Sequence, residues 1–263
     1  MSLQISSLAF SYGAHEVLRD ISFTAAPGLT AVLGQNGAGK TTLFRCILGT
    51  LTASRGTVLA DGTDLRALSP RSLARKVAFI PQAHHPAFSY SVSDVVLMGT
   101  TASLRPLGMP GTAQREAAQW AMEQIGILPL AARSFSALSG GEQQLVMIAR
   151  ALSQKTGILI MDEPASGLDY GNQIRVMRRV KTLASQGYTI LFSSHDPQST
   201  LLFADAVLAL RDGGVEAFGP PSEVLTEELL RKLYGVSASI ETLSGRRVIL
   251  PPVLSEDSDV SLE

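Results

Sequence analysis

Three short stretches hold residue types whose spacing could do phosphate chemistry. In "GQNGAGKTT" (34–42), three glycines precede a lysine and two threonines. Gly34, Gly37 and Gly39 allow a tight turn with inward N–H groups and no Cβ to block a phosphate. Lys40 can reach the β- and γ-phosphates of a nucleoside triphosphate, and the Thr41 hydroxyl can reach Mg2+. Asn36, Ala38 and Thr42 complete the loop. A second stretch, "ILIMDEP" (158–164), is an apolar run ending in two acids. Two adjacent carboxylates at a buried strand end call for a cation. Asp162 is placed to hold Mg2+, directly or through water. Glu163, expected on the opposite side, is placed to accept a proton from an attacking water. His195, closing "YTILFSSH", follows another apolar run. A lone histidine there is more often structural, but beside phosphate and magnesium ligands it is expected to hydrogen-bond the γ-phosphate. The third stretch is "LSGGEQQ" (138–144), a serine and two glycines opening an apolar-periodic segment. It reads as a second helix start built for an anion.

These stretches need strands and helices to place them. Residues 1–33 alternate apolar and polar positions and predict strands. "GTVLADGTDL" predicts a hairpin turning at Asp61-Gly62, and "KVAFIPQ" a strand stopped by Pro81. From about 86 to 154 strands give way to helical patterns: "SVSDVVLMG", "TAQREAAQWAMEQIGI" and "EQQLVMIARALS". "TGILIMDEP" and "YTILFSSHD" then return as strands followed by helices, as parallel βα units require. The expectation is an α/β P-loop core (1–85 and 155–225) with a parallel sheet and an antiparallel β subdomain. A helical subdomain (86–154) is inserted, and a C-terminal part (226–263) follows. In that part "EELLRKLYGV" predicts a helix, "ASIETLSGRRVILPPV" a hairpin around Ser244-Gly245, and "SEDSDVSLE" a disordered acidic tail.

Composition bounds the partners. The chain has 263 residues, 45% hydrophobic and 17% charged, with 22 basic against 23 acidic side chains. A net charge of −1 leaves no basic field for nucleic acid. Cys46, the only cysteine, excludes an internal disulfide. The N-terminus lacks the layout of a signal peptide, and no apolar run approaches the roughly 18 residues of a membrane span. A soluble, cytoplasmic chain is expected.

With "LSGGEQQ" between the P-loop and "ILIMDEP", the chain resembles the ATP-binding cassette (ABC) ATPases. The order "GQNGAGKTT", "FIPQ", "LSGGEQQ", "ILIMDEP", "SGLD", "SSHD" carries the likeness over nearly the whole chain. The resemblance implies that the nucleotide is ATP with Mg2+, and that Tyr12 stacks on adenine. Gln82 would approach Mg2+ and the reacting water and link the core to the helical insertion. Asp169 of "SGLD" would cross between subunits. Two copies would pack head to tail, with Ser139, Gly140, Gly141 and Glu142 of one at the γ-phosphate of the other's ATP. Glu142 stands where the most familiar version has glutamine; it lies beyond the phosphate-facing residues in sequence, so little harm is expected from the change. Leu29 replaces a common glutamate, a change expected to affect only the surface.

Other families share the cassette. Chromosome-maintenance ATPases insert long coiled coils, translation factors usually carry two cassettes, repair ATPases add nucleic-acid-binding domains, and a GTPase would need Asn-Lys-x-Asp. None of these is found here. "PAFSYSVSDVVLMGTTASLRP" and "LYGVSASIETLSGRRVILPP" resemble importer subunits for ferric siderophore, haem, cobalamin, or molybdate and tungstate; the usual arginine after "LMG" is Thr100. The resemblance implies a subunit at the cytoplasmic face of the membrane, peripheral through a separate permease and served indirectly by a substrate-binding protein. The region after Gln82 would form the permease's docking groove. Val92, Val95, Val96 and Leu97 would pack the insertion, dock the permease, or both. His84 and His85, with no carboxylate or cysteine nearby in sequence, are read as solvated. The alternative of another class is a regulatory or repair ATPase.

Overall fold

The computed structural model describes residues 1–82, 90–104 and 108–252. β1 (Leu3–Tyr12) and β2 (His15–Ala25) pair antiparallel, burying Leu3, Ile5, Leu8, Leu18 and Ile21. β3 (Gly28–Leu33) leads into the P-loop and α1 (Lys40–Ile47). β4 (Arg55–Ala60) and β5 (Thr63–Asp64) form the hairpin at Asp61-Gly62, both with positive φ (44° and 78°). This is the backbone that Asp-Gly favours in a two-residue turn. α2 (Pro70–Leu73) and β6 (Val77–Ile80) follow, then α3 (Val92–Met98), α4 (Thr112–Ile125) and α5 (Gly140–Ser153). β7 (Ile158–Met161), α6 (Tyr170–Ser185), β8 (Thr189–Ser194) and α7 (Pro197–Phe203) complete the βα units. β9 (Ala206–Arg211), β10 (Gly214–Gly219), α8 (Pro221–Val224), α9 (Glu227–Tyr234), β11 (Ser239–Leu243) and β12 (Arg246–Leu250) end the described chain.

β2-β1-β4-β5 form an antiparallel sheet and β10-β9-β3-β8-β7-β6 a six-stranded one. In the larger sheet β9, β3, β8, β7 and β6 run parallel and only β10 is antiparallel. Its inner strands are apolar on both faces, as a parallel sheet covered on both sides must be. Alternation divides them between two layers. Val32, Ile158, Ile160, Leu191, Leu208 and Leu210 pack with α1 and the small sheet. Leu29, Ala31, Leu159, Met161, Ile190 and Phe192 pack with α3, α4, α5 and α6. The P-loop helix and the helix that follows LSGG therefore lie on opposite faces of one sheet.

The helices expected between 86 and 154 form. Val92, Val95 and Val96 are fully buried and Leu97 packs partly against the same core, which supports the packing reading. Thr100 is also buried, its hydroxyl donating to the Leu97 carbonyl at 2.8 Å. The reading of Leu29 as a surface change is corrected: it is 0% exposed. Its N–H donates to Asp205 Oδ2 at 2.9 Å and its side chain enters the core under α6, so in this chain Leu29 is a core residue. His84, His85 and the acidic tail (255–263) lie outside the described residues.

Candidate nucleotide site

Parallel strands that end on one edge put their following loops there, and that edge is where open α/β sheets bind ligands. The P-loop follows β3, with Gln35, Asn36 and Gly37 open to solvent and Ala38 buried behind them. Gly39 caps α1 with φ 100°, and a Cβ there would lie 2.8 Å from Leu18 Cδ2. The backbone therefore demands glycine, and the β1–β2 hairpin abuts the loop. Lys40 is 6% exposed, and its Nζ donates to the Gly34 carbonyl at 2.7 Å and the Gln35 carbonyl at 3.0 Å. Burial lowers the lysine's pKa, while Glu163 and then Asp162 pull it back up. Thr42 follows in the first turn of α1, half-buried.

Asp162, 7% exposed, joins the two sides of the site. Thr41 Oγ1 donates to its Oδ2 at 3.0 Å and Ser193 Oγ to its Oδ1 at 2.6 Å. One hydroxyl and one carboxylate suit Mg2+, a hard ion that takes few protein oxygens and completes its shell with water and phosphate oxygens. Glu163 stands past the strand end with φ 47°, and its N–H donates to Ser193 Oγ at 2.8 Å. Its carboxylate accepts from Gln82 Nε2 at 3.0 Å and lies 3.2 Å from His195 Nδ1. The two neighbouring acids thus serve different partners: Asp162 faces the P-loop, and Glu163 faces the ends of β6 and β8.

Tyr12 ends β1, 48% exposed, with its ring edge-to-face on Phe10 at 4.8 Å. Ser139 caps α5 and, with Gly140, faces solvent. Glu142 closes the cap of the same helix. Its side chain turns back, Oε2 accepting from the Ser139 N–H at 2.9 Å and the Ser139 hydroxyl at 2.8 Å. This reciprocal cap satisfies two donors of the helix start, the Ser139 and Glu142 N–H groups. The backbone bond from Ser139, then its hydroxyl, hold the Glu142 carboxyl below the usual carboxylate range. Asp169 caps α6 by a one-way bond, its carboxylate accepting from the Asn172 N–H at 2.8 Å, and that bond holds its carboxyl low.

The structure thus gathers Lys40, Thr41, Asp162, Glu163, Gln82 and His195 on one edge. It leaves Ser139–Glu142 on the layer beyond the sheet from α1. Ser193, 1% exposed, is the residue the motifs missed. Its signal was the serine pair that follows the apolar run "ILF" in the strand "TILFSS".

Fold and site define an α/β P-loop protein with the edge geometry of a nucleotide hydrolase. The profile of the ABC transporter family matches residues 18–166. A Haemophilus influenzae protein, an uncharacterized ABC transporter ATP-binding protein, is 38% identical over 91% of this chain and 92% of its own. The hemin import ATP-binding protein HmuV of Bordetella pertussis is 39% identical over 95% of this chain and 99% of its own. A solved inward-facing structure described as a metal-chelate type ABC transporter superposes with TM-score 0.84 at 30% identity, covering 96% of this chain and 97% of that one. The chain belongs to the ABC transporter family, as an ATP-binding subunit and ATPase. Such subunits work with membrane permease components. Among the described residues no helix is long and apolar enough to cross a membrane.

Proposed function

We propose that this chain powers import of metal chelates, haem foremost, by closing as a nucleotide-sandwich dimer beneath a separate permease at the cytoplasmic face of the membrane. The observation that carries the dimer is the separation of two anion-binding helix starts. The P-loop and Ser139–Gly141 lie on opposite layers of one sheet, so LSGG is available to the ATP of another copy. The haem assignment rests on likeness over nearly the full length of the hemin import ATP-binding proteins.

In this reading Gly34 to Thr42 cradle the triphosphate, Tyr12 stacks on adenine, and Lys40 meets the β- and γ-phosphates. Mg2+, held by Thr41 and Asp162 with Gln82 near it, would neutralise charge on the phosphates. Glu163 accepts the proton of the attacking water, and Gln82 and His195 hold its carboxylate in place. His195 also reaches the γ-phosphate. Residues 1–85 and 155–225 act as the nucleotide-binding core, 86–154 as the lever that senses the permease, and 226–263 as a C-terminal extension.

The test is affinity purification of the chain from native membranes, with hemin, ferric siderophore, cobalamin and molybdate uptake assayed after reconstitution. Recovery of an integral membrane protein and ATP-dependent hemin uptake is the expected result. Uptake of molybdate alone would overturn the cargo class, and recovery of no membrane protein would overturn the transporter reading. Glu163→Gln should retain ATP binding and stop both hydrolysis and uptake; hydrolysis at the parent rate would remove Glu163 from its role.

A further inference from the structure

The segments "SGLD" and "LSGG" are far apart in sequence, yet their helix starts touch. Asp169 accepts two bonds from Asn172, from its N–H at 2.8 Å and from its side-chain Nδ2 at 2.7 Å. The same Asn172 side chain lies across the first turn of α5. A Cβ built on Gly141 would sit 2.6 Å from Asn172 Cγ and 2.7 Å from its Oδ1. No side chain fits in that gap, so the glycine is needed for the approach of α6 as well as for room at a phosphate. Alongside, a Cβ on Gly140 would lie 3.3 Å from Leu168 Cδ2. Asn172 Oδ1 in turn accepts from Arg175 Nη1 at 3.2 Å. The amide is therefore used on three sides: a donor to Asp169, an acceptor from Arg175, and a flat face against Gly141. A residue needed only to cap α6 would not have to touch α5.

We infer that Asn172 is a positioning residue that locks Asp169 to the signature turn, so that each subunit presents Ser139–Gly141 and Asp169 to its partner as one rigid edge. The inference rests on the nucleotide-sandwich reading above. Its consequence is that engagement of one ATP by the signature also fixes the aspartate that crosses the interface, so the two contacts are made together or not at all.

The decisive variant is Asn172→Asp. It keeps the volume against Gly141 and the acceptor for Arg175, but removes the Nδ2 donor and sets a second carboxylate beside Asp169. Asn172→Ala removes donor, acceptor and contact together. In a Glu163→Gln background, monomer affinity for ATP and the ATP concentration at half-maximal dimerisation are measured separately, the second by size exclusion with light scattering. Both variants should bind ATP as monomers within about twofold of the parent, because α1 lies across the sheet. The dimerisation midpoint should rise about tenfold, the worth of one hydrogen bond to a charged group. With Glu163 intact, kcat should fall while monomer affinity holds. If Asn172→Asp lowers the melting temperature but dimerises at the parent midpoint, Asn172 is a local cap and the inference is wrong. If the Glu163→Gln parent itself stays monomeric with ATP, the sandwich reading falls, and the inference falls with it. Should Asn172→Ala fail to fold, the near-isosteric Asn172→Asp still decides.

Discussion

Replacing Ser193 by alanine tests how the two acids of "ILIMDEP" are held. The hydroxyl donates to Asp162 Oδ1 at 2.6 Å and accepts from the Glu163 N–H at 2.8 Å, in a position 1% exposed. Deletion removes a hydrogen bond to a charged group, about 1.5–3 kcal/mol, and strands a second polar group, about 1–3 kcal/mol more. Partial relaxation should bring the sum near 3 kcal/mol, a large share of the roughly 5–15 kcal/mol that holds a domain together. The same bond anchors Glu163 in its left-handed turn (φ 47°), a conformation that costs a non-glycine residue about 1–3 kcal/mol and persists only when its surroundings impose it. Freed, the carboxylate should lose its place between Gln82 and His195, and a displacement near 1 Å would lower kcat by about a hundredfold. Urea unfolding gives the first quantity; steady-state ATP hydrolysis, with ATP affinity measured separately, gives the second. Stability within about 0.5 kcal/mol of the parent together with full kcat would refute the reasoning. Lost stability with full kcat would make Ser193 a strut for Asp162 alone.

Lys40→Ala should weaken ATP binding by about a hundredfold, two decades being near the worth of a charge-assisted contact in a buried loop; equilibrium binding of a fluorescent ATP analogue measures it. Ser139→Arg should leave that monomer affinity unchanged and abolish ATP-driven dimerisation and turnover; collapse of monomer binding would mean that LSGG serves its own chain. Glu142 sets an acid limit on the start of α5. Its folded pKa is depressed, so its contribution is fully present above the ordinary glutamate value of about 4.3 and is lost as pH falls through the folded one. Glu142→Gln should flatten that part of a melting-temperature profile below the ordinary glutamate value of about 4.3; an unchanged slope would show that the cap contributes nothing.

Local motifs were legible because their geometry is made by neighbouring residues. The P-loop needs only glycines, a lysine and a helix behind it, and "GQNGAGKTT" supplies all of them within nine positions. Asp61-Gly62 and Ser244-Gly245 turn where their backbone preference dictates, with positive φ at all four residues. Leu29 was misread because its burial comes from a partner far along the chain: Asp205, which accepts from its N–H, and the helix packed above them. The turn of Glu142 was not legible because a side chain at the third position of a helix can return to its own cap, and position alone does not say which way it turns.

The sequence by itself determined the local pieces: a triphosphate loop, a pair of acids at a strand end, a second glycine-bearing helix start, and the family these define. Each is a short-range property, written where the chain passes through it. The tertiary structure decided who serves whom. Strand order brought β6, β7 and β8 side by side, so Gln82, Glu163 and His195 meet although 81 and 32 residues separate the glutamate from its partners. Alternation along the same strands sent α1 to one face and α5 to the other, which puts the P-loop helix and the LSGG helix on different layers. The contact of Asn172 with Gly141 likewise exists only because two helix starts cross closely enough that a single methyl group would not fit.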